Sequence, residues 1–363
     1  MEIKLDIQPI KSWFPGINNP LLIAGPCSLE TREQTLSTAR QLVKDKRVHI
    51  YRGGVWKPRT RPGCFEGIGK IGLEWLKEVK QETGLMVGTE VANAKHTELA
   101  LKAGIDVLWI GARSTASPFT VQEIANVVKG TNVTVMVKNP VNPDVQLWIG
   151  ALERINRSGI KNLVAIHRGF TPFCETKYRN YPGWKTYIEL RRLIPNIPVI
   201  CDPSHISGKR EYLYEISQKA FDMGMDGLMI ESHCNPDVAL SDKAQQLIPS
   251  DLTKLLDKLV IREEKTNNKQ FENQLEMLRN RIDAIDNELL ETLSARFAIT
   301  KQIGDYKKVH NVTALQINRW KNLMESRTEL AEKLKLDKTF VKILFQLIHE
   351  DSIRMQTEIL DKE

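Results

Sequence analysis

The sequence predicts an α/β protein with a second, all-α part: a (β/α)8 TIM barrel followed by a helical domain that forms an intertwined dimer. Two observations predict this division. First, eight short apolar runs without alternation, separated by helical patterns, lie in the first two-thirds of the chain, as expected of parallel strands buried on both faces. Second, all 16 prolines and all but one of the 21 glycines precede Arg262. The remainder, with Gly304 as its only glycine, is charged and helix-forming. The expected organisation is a barrel at 1–263, a linker at 264–270 within "EEKTNNKQ", and a helical domain at 271–363.

At 363 residues the chain is too long for one typical domain, and 41% hydrophobic with 27% charged residues is an ordinary globular composition. No run of about 18 apolar residues occurs, which excludes a transmembrane helix. The opening "MEIKLDIQPI" lacks the basic and apolar stretches of a signal peptide and reads as cytoplasmic. Five widely spaced cysteines in a chain of this size suggest metal binding or core packing rather than disulfides. The formal charge of +7 comes without any Lys/Arg block or aromatic platform. Nucleic acid is therefore not expected, and small anionic substrates account for the excess.

The strands follow in order as "LLIAGP", "VHIYRGG", "LMVGTEV", "DVLWIGAR", "VTVMVKNP", "LVAIHRG", "VICDPSH" and "GLMIESH". Eight such units close a barrel. A doubly wound open sheet is the alternative, but it rarely needs eight parallel strands from roughly 245 residues. Each run ends in polar residues, and in a barrel those ends converge on the face where active sites are built. Cys27, Arg52, Lys57, Glu90, Arg113, Lys138, Arg168, His205 and Glu231 should therefore ring one pocket. Any one of them alone is as readily a loop residue that happens to follow a strand; eight strands ending alike argue for a site.

Five of these residues are cationic: Arg52, Lys57, Arg113, Lys138 and Arg168. Like charges gathered in a cleft call for an anion, so phosphate and carboxylate groups are the expected ligands. Against them stand Cys27, His205, Glu231 and, eleven residues on, Asp242. Each alone is commonly structural. Together, a thiolate, an imidazole and two carboxylates suit a divalent Mn, Fe, Co or Zn ion acting as a Lewis acid. Cys201, which precedes the end of its strand, reads as inward packing.

The segments "GPCS", "KPRT", "GTE", "IGAR", "VKNP", "HRG", "DPSH" and, beyond them, Glu231 with "SD" at Asp242 resemble 3-deoxy-D-arabino-heptulosonate 7-phosphate (DAHP) synthases. The resemblance is to the branch nearest 3-deoxy-D-manno-octulosonate 8-phosphate (KDO8P) synthases and covers about residues 15 to 260. It implies that Cys27, His205, Glu231 and Asp242 bind the metal, and that Arg52, Lys57, Arg113, Lys138 and Arg168 hold phosphoenolpyruvate. Arg59 and Thr60 would hold erythrose 4-phosphate, Glu90 belongs with the substrate-binding set, and Asp202 would orient the site. "KPRT" favours the four-carbon sugar over the KDO8P synthase reaction. Two positions depart from the family pattern: His167, where Glu is expected, and Arg61, where Ser commonly follows.

In the tail, Leu275, Leu278, Ile282, Ile285, Leu289, Leu293 and Phe297 recur at spacings of three and four, which predicts one long amphipathic helix. Arg279 and Arg296 fall within its apolar stripe. An internal ion pair with Asp286 would explain them structurally, and a plain coiled coil is another structural option. If both arginines serve one small ligand, their separation of about 25 Å along a helix requires that one come from a second chain, and the tail is an intertwined dimer. The stretch resembles all-helical chorismate mutases through "LRNRIDAID", "SARFAITKQIGDYK" and "FQLIHEDSIRMQ". That resemblance implies that Arg279 from the partner chain, Arg296 and Arg319 grip the two carboxylates of chorismate. Lys307 and Gln356 would hydrogen-bond its ether oxygen, Ser352 would line the pocket, and the product would be prephenate, with no cofactor. Gln316 and Trp320 stand where that family has acidic residues.

The expected function is a bifunctional enzyme of aromatic amino acid (shikimate pathway) biosynthesis, whose tail also feedback-regulates the barrel. The alternative keeps the synthase and makes the tail a non-catalytic, chorismate- or prephenate-sensing dimerisation module.

Overall fold

The computed structural model describes residues 3–14, 20–58, 63–172, 175–262 and 268–361. The chain divides into two compact units, Met1–Glu264 and Lys265–Glu363.

In the first unit β1 (Leu21–Gly25), β2 (Ile50–Arg52), β3 (Met86–Val91), β4 (Val107–Ile110), β5 (Thr134–Lys138), β6 (Leu163–His167), β7 (Val199–Cys201) and β8 (Gly227–Glu231) form a closed barrel in sequence order. All neighbours are parallel, and β8 closes on β1 with Gly227 opposite Leu21 and Glu231 opposite Gly25. The two-residue period of a strand sorts side chains between two layers. Leu22, Ala24, Tyr51, Leu108, Val135 and Cys201 belong to the outer cluster, packed with the surrounding helices. Leu21, Ile23, Ile50, Trp109, Met136, Val164, Ile166, Ile200 and Met229 fill the interior, where Ile10 and Phe14 join them. Two residues on from the last interior apolar positions come Arg52, Lys138, Arg168, Asp202 and Glu231. The apolar run therefore builds the interior core, and its next inward step is polar. Cys201 is buried, but in the outer layer against the helices rather than inward as expected, because the inward positions of that strand fall at Ile200 and Asp202.

The helices start where the sequence supplies caps. Thr31, Asn93, Ser117 and Asp144 each accept a hydrogen bond from the backbone N–H three residues on, opening helices Arg32–Leu42, Ala94–Lys102, Pro118–Val128 and Val145–Arg157.

The second unit consists of helices Lys269–Val309, Ile317–Lys333 and Lys338–Leu360. Asn268 caps the first by accepting from Phe271 N, so residues 269 and 270 are helical and the expected linker is shorter at that end. Residues 263–267 lie outside the described residues. Little of the long helix is buried within this chain: Thr300 and Gly304 are, whereas Leu278, Ile282, Ile285 and Leu289 are exposed. Gly304 lets the last helix come close, since a Cβ there would meet Ile359 Cδ1 at 2.9 Å and Gln356 Cα at 3.4 Å.

Candidate active sites

At the C-terminal ends of the barrel strands a cavity of about 470 Å³ is lined by Lys57, Glu90, Arg113, Lys138, Arg168, His205 and Asp242, among others. Arg52 and Glu231 lie buried beside it and pair across the barrel at 3.2 Å. Nine of the predicted residues thus meet in one place. Arg59 and Thr60, with Arg61, lie outside the described residues.

Cys27, Glu231 and Asp242 offer ligand atoms that all lie within 4.8 Å of one another. Cys27 Sγ is 3.2 Å from Asp242 Oδ2, and Lys57 Nζ is 3.0 Å from the same sulfur. His205 stands at the edge of this group, its Nε2 3.8 Å from Glu231 Oε1 and its Nδ1 2.8 Å from Asp202 Oδ2. Asp202 also accepts from Lys138 Nζ at 2.8 Å and caps the short helix Pro203–Ser207 through His205 N, so one carboxylate orients both neighbours.

The electrostatics fit a cation. Burial, and then the Glu231 carboxylate, push the Cys27 thiol up to about 12. Burial works against the charge on Asp242 too, yet His205 and Arg179 hold its carboxyl below the usual range. Burial likewise lowers His205, against the pull of Asp202 and Glu231. A thiol and two carboxylates crowded out of water repel as anions, and a divalent ion relieves that repulsion.

Elsewhere the lining of the cavity is rich in cations, with Arg113, Lys138, Arg168 and Arg179. Burial lowers Arg168 to about 10, and Arg179 and Arg113 push in the same direction. The Arg168 Nη1 atom donates to neutral oxygens, Asn180 Oδ1 at 2.9 Å and Gly169 O at 3.3 Å. An anionic ligand suits such a group. Glu90 accepts from Trp109 Nε1 at 3.0 Å and sits against Gly111, where a Cβ would meet its Oε1 at 2.3 Å. Only glycine leaves that carboxylate its place.

Sequence reasoning missed Arg179, Asn180, Gln245 and Gln246. Arg179 Nη1 lies 2.8 Å from Asp242 Oδ1, and Gln245 Nε2 donates to Glu231 Oε2 at 2.7 Å. None follows an apolar run. The departure at His167 does not reach the cavity: its ring is buried among Trp148, Phe170, Trp184 and Tyr187, at centroid distances of 5.2 to 6.4 Å.

In the helical unit Arg296 Nη1 donates to Ser352 Oγ at 2.8 Å. No ion pair of Arg279 or Arg296 with Asp286 occurs within this chain among the described residues. Burial, with Arg327 nearby, lowers Arg296, and burial lowers Lys307. Gln356 is buried with its Oε1 atom unpartnered. Lys307 and Gln316 line a cavity of about 510 Å³ with Ile299, Gln302, Ile303 and Tyr306. Arg279 and Arg319 are exposed. Trp320 packs against His349 with the rings tilted by 32° and their centroids 4.0 Å apart.

Residues 4–268 match the DAHP synthetase I family. The chain belongs to that family. Residues 278–357 match chorismate mutase type II, so the DAHP synthetase barrel carries a second, helical domain of its own family. A phospho-2-dehydro-3-deoxyheptonate aldolase of Thermotoga maritima is 33% identical over 226 residues, covering 62% of this chain and 64% of that protein. The chain thus spans just under two-thirds of that relative's length. A 2-dehydro-3-deoxyphosphooctonate aldolase of Syntrophotalea carbinolica is 28% identical over 267 residues, 68% of this chain and 91% of that protein. A crystal structure of phospho-2-dehydro-3-deoxyheptonate aldolase from Thermotoga maritima superposes with a TM-score of 0.60 at 31% identity, covering 66% of this chain and 67% of that one. No helix among the described residues is long and apolar enough to cross a membrane.

Proposed function

We propose that this chain is a bifunctional enzyme of aromatic amino acid biosynthesis, divided near residues 264–270. The barrel condenses phosphoenolpyruvate with erythrose 4-phosphate and water to DAHP and phosphate, and the helical domain rearranges chorismate to prephenate. The observation that carries the barrel reading is the meeting, in one cavity, of the Cys27, Glu231 and Asp242 group with a cationic wall of Arg113, Lys138, Arg168 and Arg179.

Cys27, Glu231, Asp242 and His205, whose Nε2 lies 3.8 Å from Glu231 Oε1, would hold a divalent ion, Mn the first choice and Fe, Co or Zn alternatives. When bound, such an ion supplies a Lewis acid for the aldehyde oxygen. Arg113, Lys138 and Arg168 bind the phosphate and carboxylate of phosphoenolpyruvate, and Arg52 and Lys57 close the inner side. Holding C3 of phosphoenolpyruvate at the aldehyde carbon is the barrel's contribution by orientation. The cationic wall stabilises charge as water adds at C2 and phosphate leaves. Arg59 and Thr60 are assigned to the sugar phosphate from their motif alone.

In the tail, Arg296 with Ser352, together with Arg319 and the partner chain's copy of Arg279, grips the two carboxylates of chorismate. Lys307 and Gln356 donate hydrogen bonds to the ether oxygen as it gains charge, and no cofactor is called for. This makes the protein at least a homodimer. The retained Arg296, Ser352, Lys307 and Gln356 favour catalysis over sensing alone.

Because relatives of both sugar specificities resemble the barrel, substrate choice is the test. Phosphate release from phosphoenolpyruvate with Mn2+ is expected with erythrose 4-phosphate and absent with arabinose 5-phosphate. The reverse preference would overturn the synthase assignment.

A further inference from the structure

Two adjacent glutamines in the loop after β8 reach every member of the Cys27, Glu231 and Asp242 group. Gln245 and Gln246 are 1% and 0% exposed. The chain turns after Asp242, where Gln245 N donates to Asp242 O at 3.2 Å, and then lies against the end of β8, with Leu247 N donating to Glu231 O at 3.0 Å. Gln245 Nε2 donates to Glu231 Oε2 at 2.7 Å, while Gln245 Oε1 accepts from Arg179 Nη1 at 2.8 Å. The same arginine nitrogen is 2.8 Å from Asp242 Oδ1. Gln246 Oε1 accepts from Cys27 N at 2.9 Å, and Gln246 Nε2 donates to Ser241 O at 2.8 Å.

A single amide therefore ties the backbone at Cys27, in the loop after β1, to the residue that precedes Asp242. Two further contacts reinforce the tie. The hydroxyls of Ser28 and Ser241 hydrogen-bond, and the Glu30 carboxylate accepts from Leu240 N at 2.8 Å. The tie has something to hold, because Asp242 sits at a φ of 49°, a region that a side chain other than glycine's disfavours.

We propose that Gln245 and Gln246 are positioning residues that clasp the metal-binding group, setting the affinity of the barrel for its ion without ligating it. The proposal rests on the metal-dependent reading of the barrel given above. Gln245 fixes which oxygen of Glu231 stays free of the glutamine and, through Arg179, aims Asp242. Gln246 acts through the main chain alone and has no contact with the cationic wall. Both amides are neutral, so the clasp adds no charge that competes with the ion.

The test titrates the metal-free full-length chain with Co2+ and follows the near-ultraviolet thiolate-to-cobalt absorption, a direct signature of the Cys27 bond; the Cys27→Ala chain is the blank. Gln246→Leu, of similar bulk with neither hydrogen bond, is expected to bind Co2+ about 10–100-fold more weakly with an unchanged far-ultraviolet circular dichroism spectrum. Gln246→Glu keeps the acceptor for Cys27 N but loses the donor to Ser241 O, and is expected to fall between. A folded Gln246→Leu chain with the parent affinity and absorption band would overturn the clasp. Should Gln246→Leu fail to fold, Gln246→Glu decides by the same criterion. A parent chain with no band above the Cys27→Ala blank would overturn the metal reading itself, and the clasp with it.

Discussion

At the end of β6 two neighbours face opposite ways, and the difference sorts function from packing. Arg168 enters the cavity, whereas His167 is shut among four aromatic rings. Burial pushes the His167 imidazole down to about 4, and the nearby Pro182 backbone offsets only part of that. A folded value below the unfolded one of about 6.5 means that the unfolded chain takes up the proton first as pH falls. The stability His167 contributes is therefore complete above about pH 6.5 and is lost by about pH 4, roughly 3 kcal/mol in all. Replacing it by phenylalanine should flatten the fall of barrel stability across that window in urea titrations at several pH values; an undiminished fall would refute the account. Residues of this kind mark the limit of reading by motif. Cys27, Glu231 and Asp242 were legible because each follows a strand or completes a donor set of distinct chemistry. Arg179, in the polar stretch "KYRNYPGW", and Gln245 and Gln246 carry no such mark, since what defines them is the neighbour they reach in space.

Whole elements were more legible than residues. A strand buried on both faces must be an uninterrupted apolar run, and the eight runs gave eight barrel strands in order. The tail helix was legible from its spacing, though its start at Lys269 depends on the Asn268 cap, a local hydrogen bond that composition does not reveal. What the helix buries is a separate matter. Leu278, Ile282, Ile285 and Leu289 are 43% to 61% exposed in a single chain, a stripe that a second copy of the helix would cover. Ile282→Asp is expected to turn a dimer into a monomer by light scattering and to abolish chorismate rearrangement, because Arg279 then has no partner chain to serve. A monomeric parent protein would contradict the shared-site arrangement.

At the scale of the whole molecule the proposed reading gives the chain two chemistries of different kinds. The barrel would use its thiol and carboxylates for an ion and its cationic wall for phosphate, and the helical domain would use fixed cations and amides. The residues that would hold the ion come from the loop after β1, the short helix after β7, the end of β8 and the loop beyond it, whereas the groups assigned to the mutase come from the helices of the second unit. The central claim is that the tail is a working catalyst as well as a fold. The most direct measurement is chorismate disappearance with the purified full-length protein in the presence of a chelator, beside Arg296→Ala and Cys27→Ala. The account predicts conversion to prephenate by the parent and by Cys27→Ala, and a loss of at least about 100-fold in Arg296→Ala, which corresponds to about 3 kcal/mol of transition-state stabilisation. No conversion by the parent, with chorismate or prephenate still bound in calorimetry, would contradict it and make the tail a sensor joined to a single enzyme.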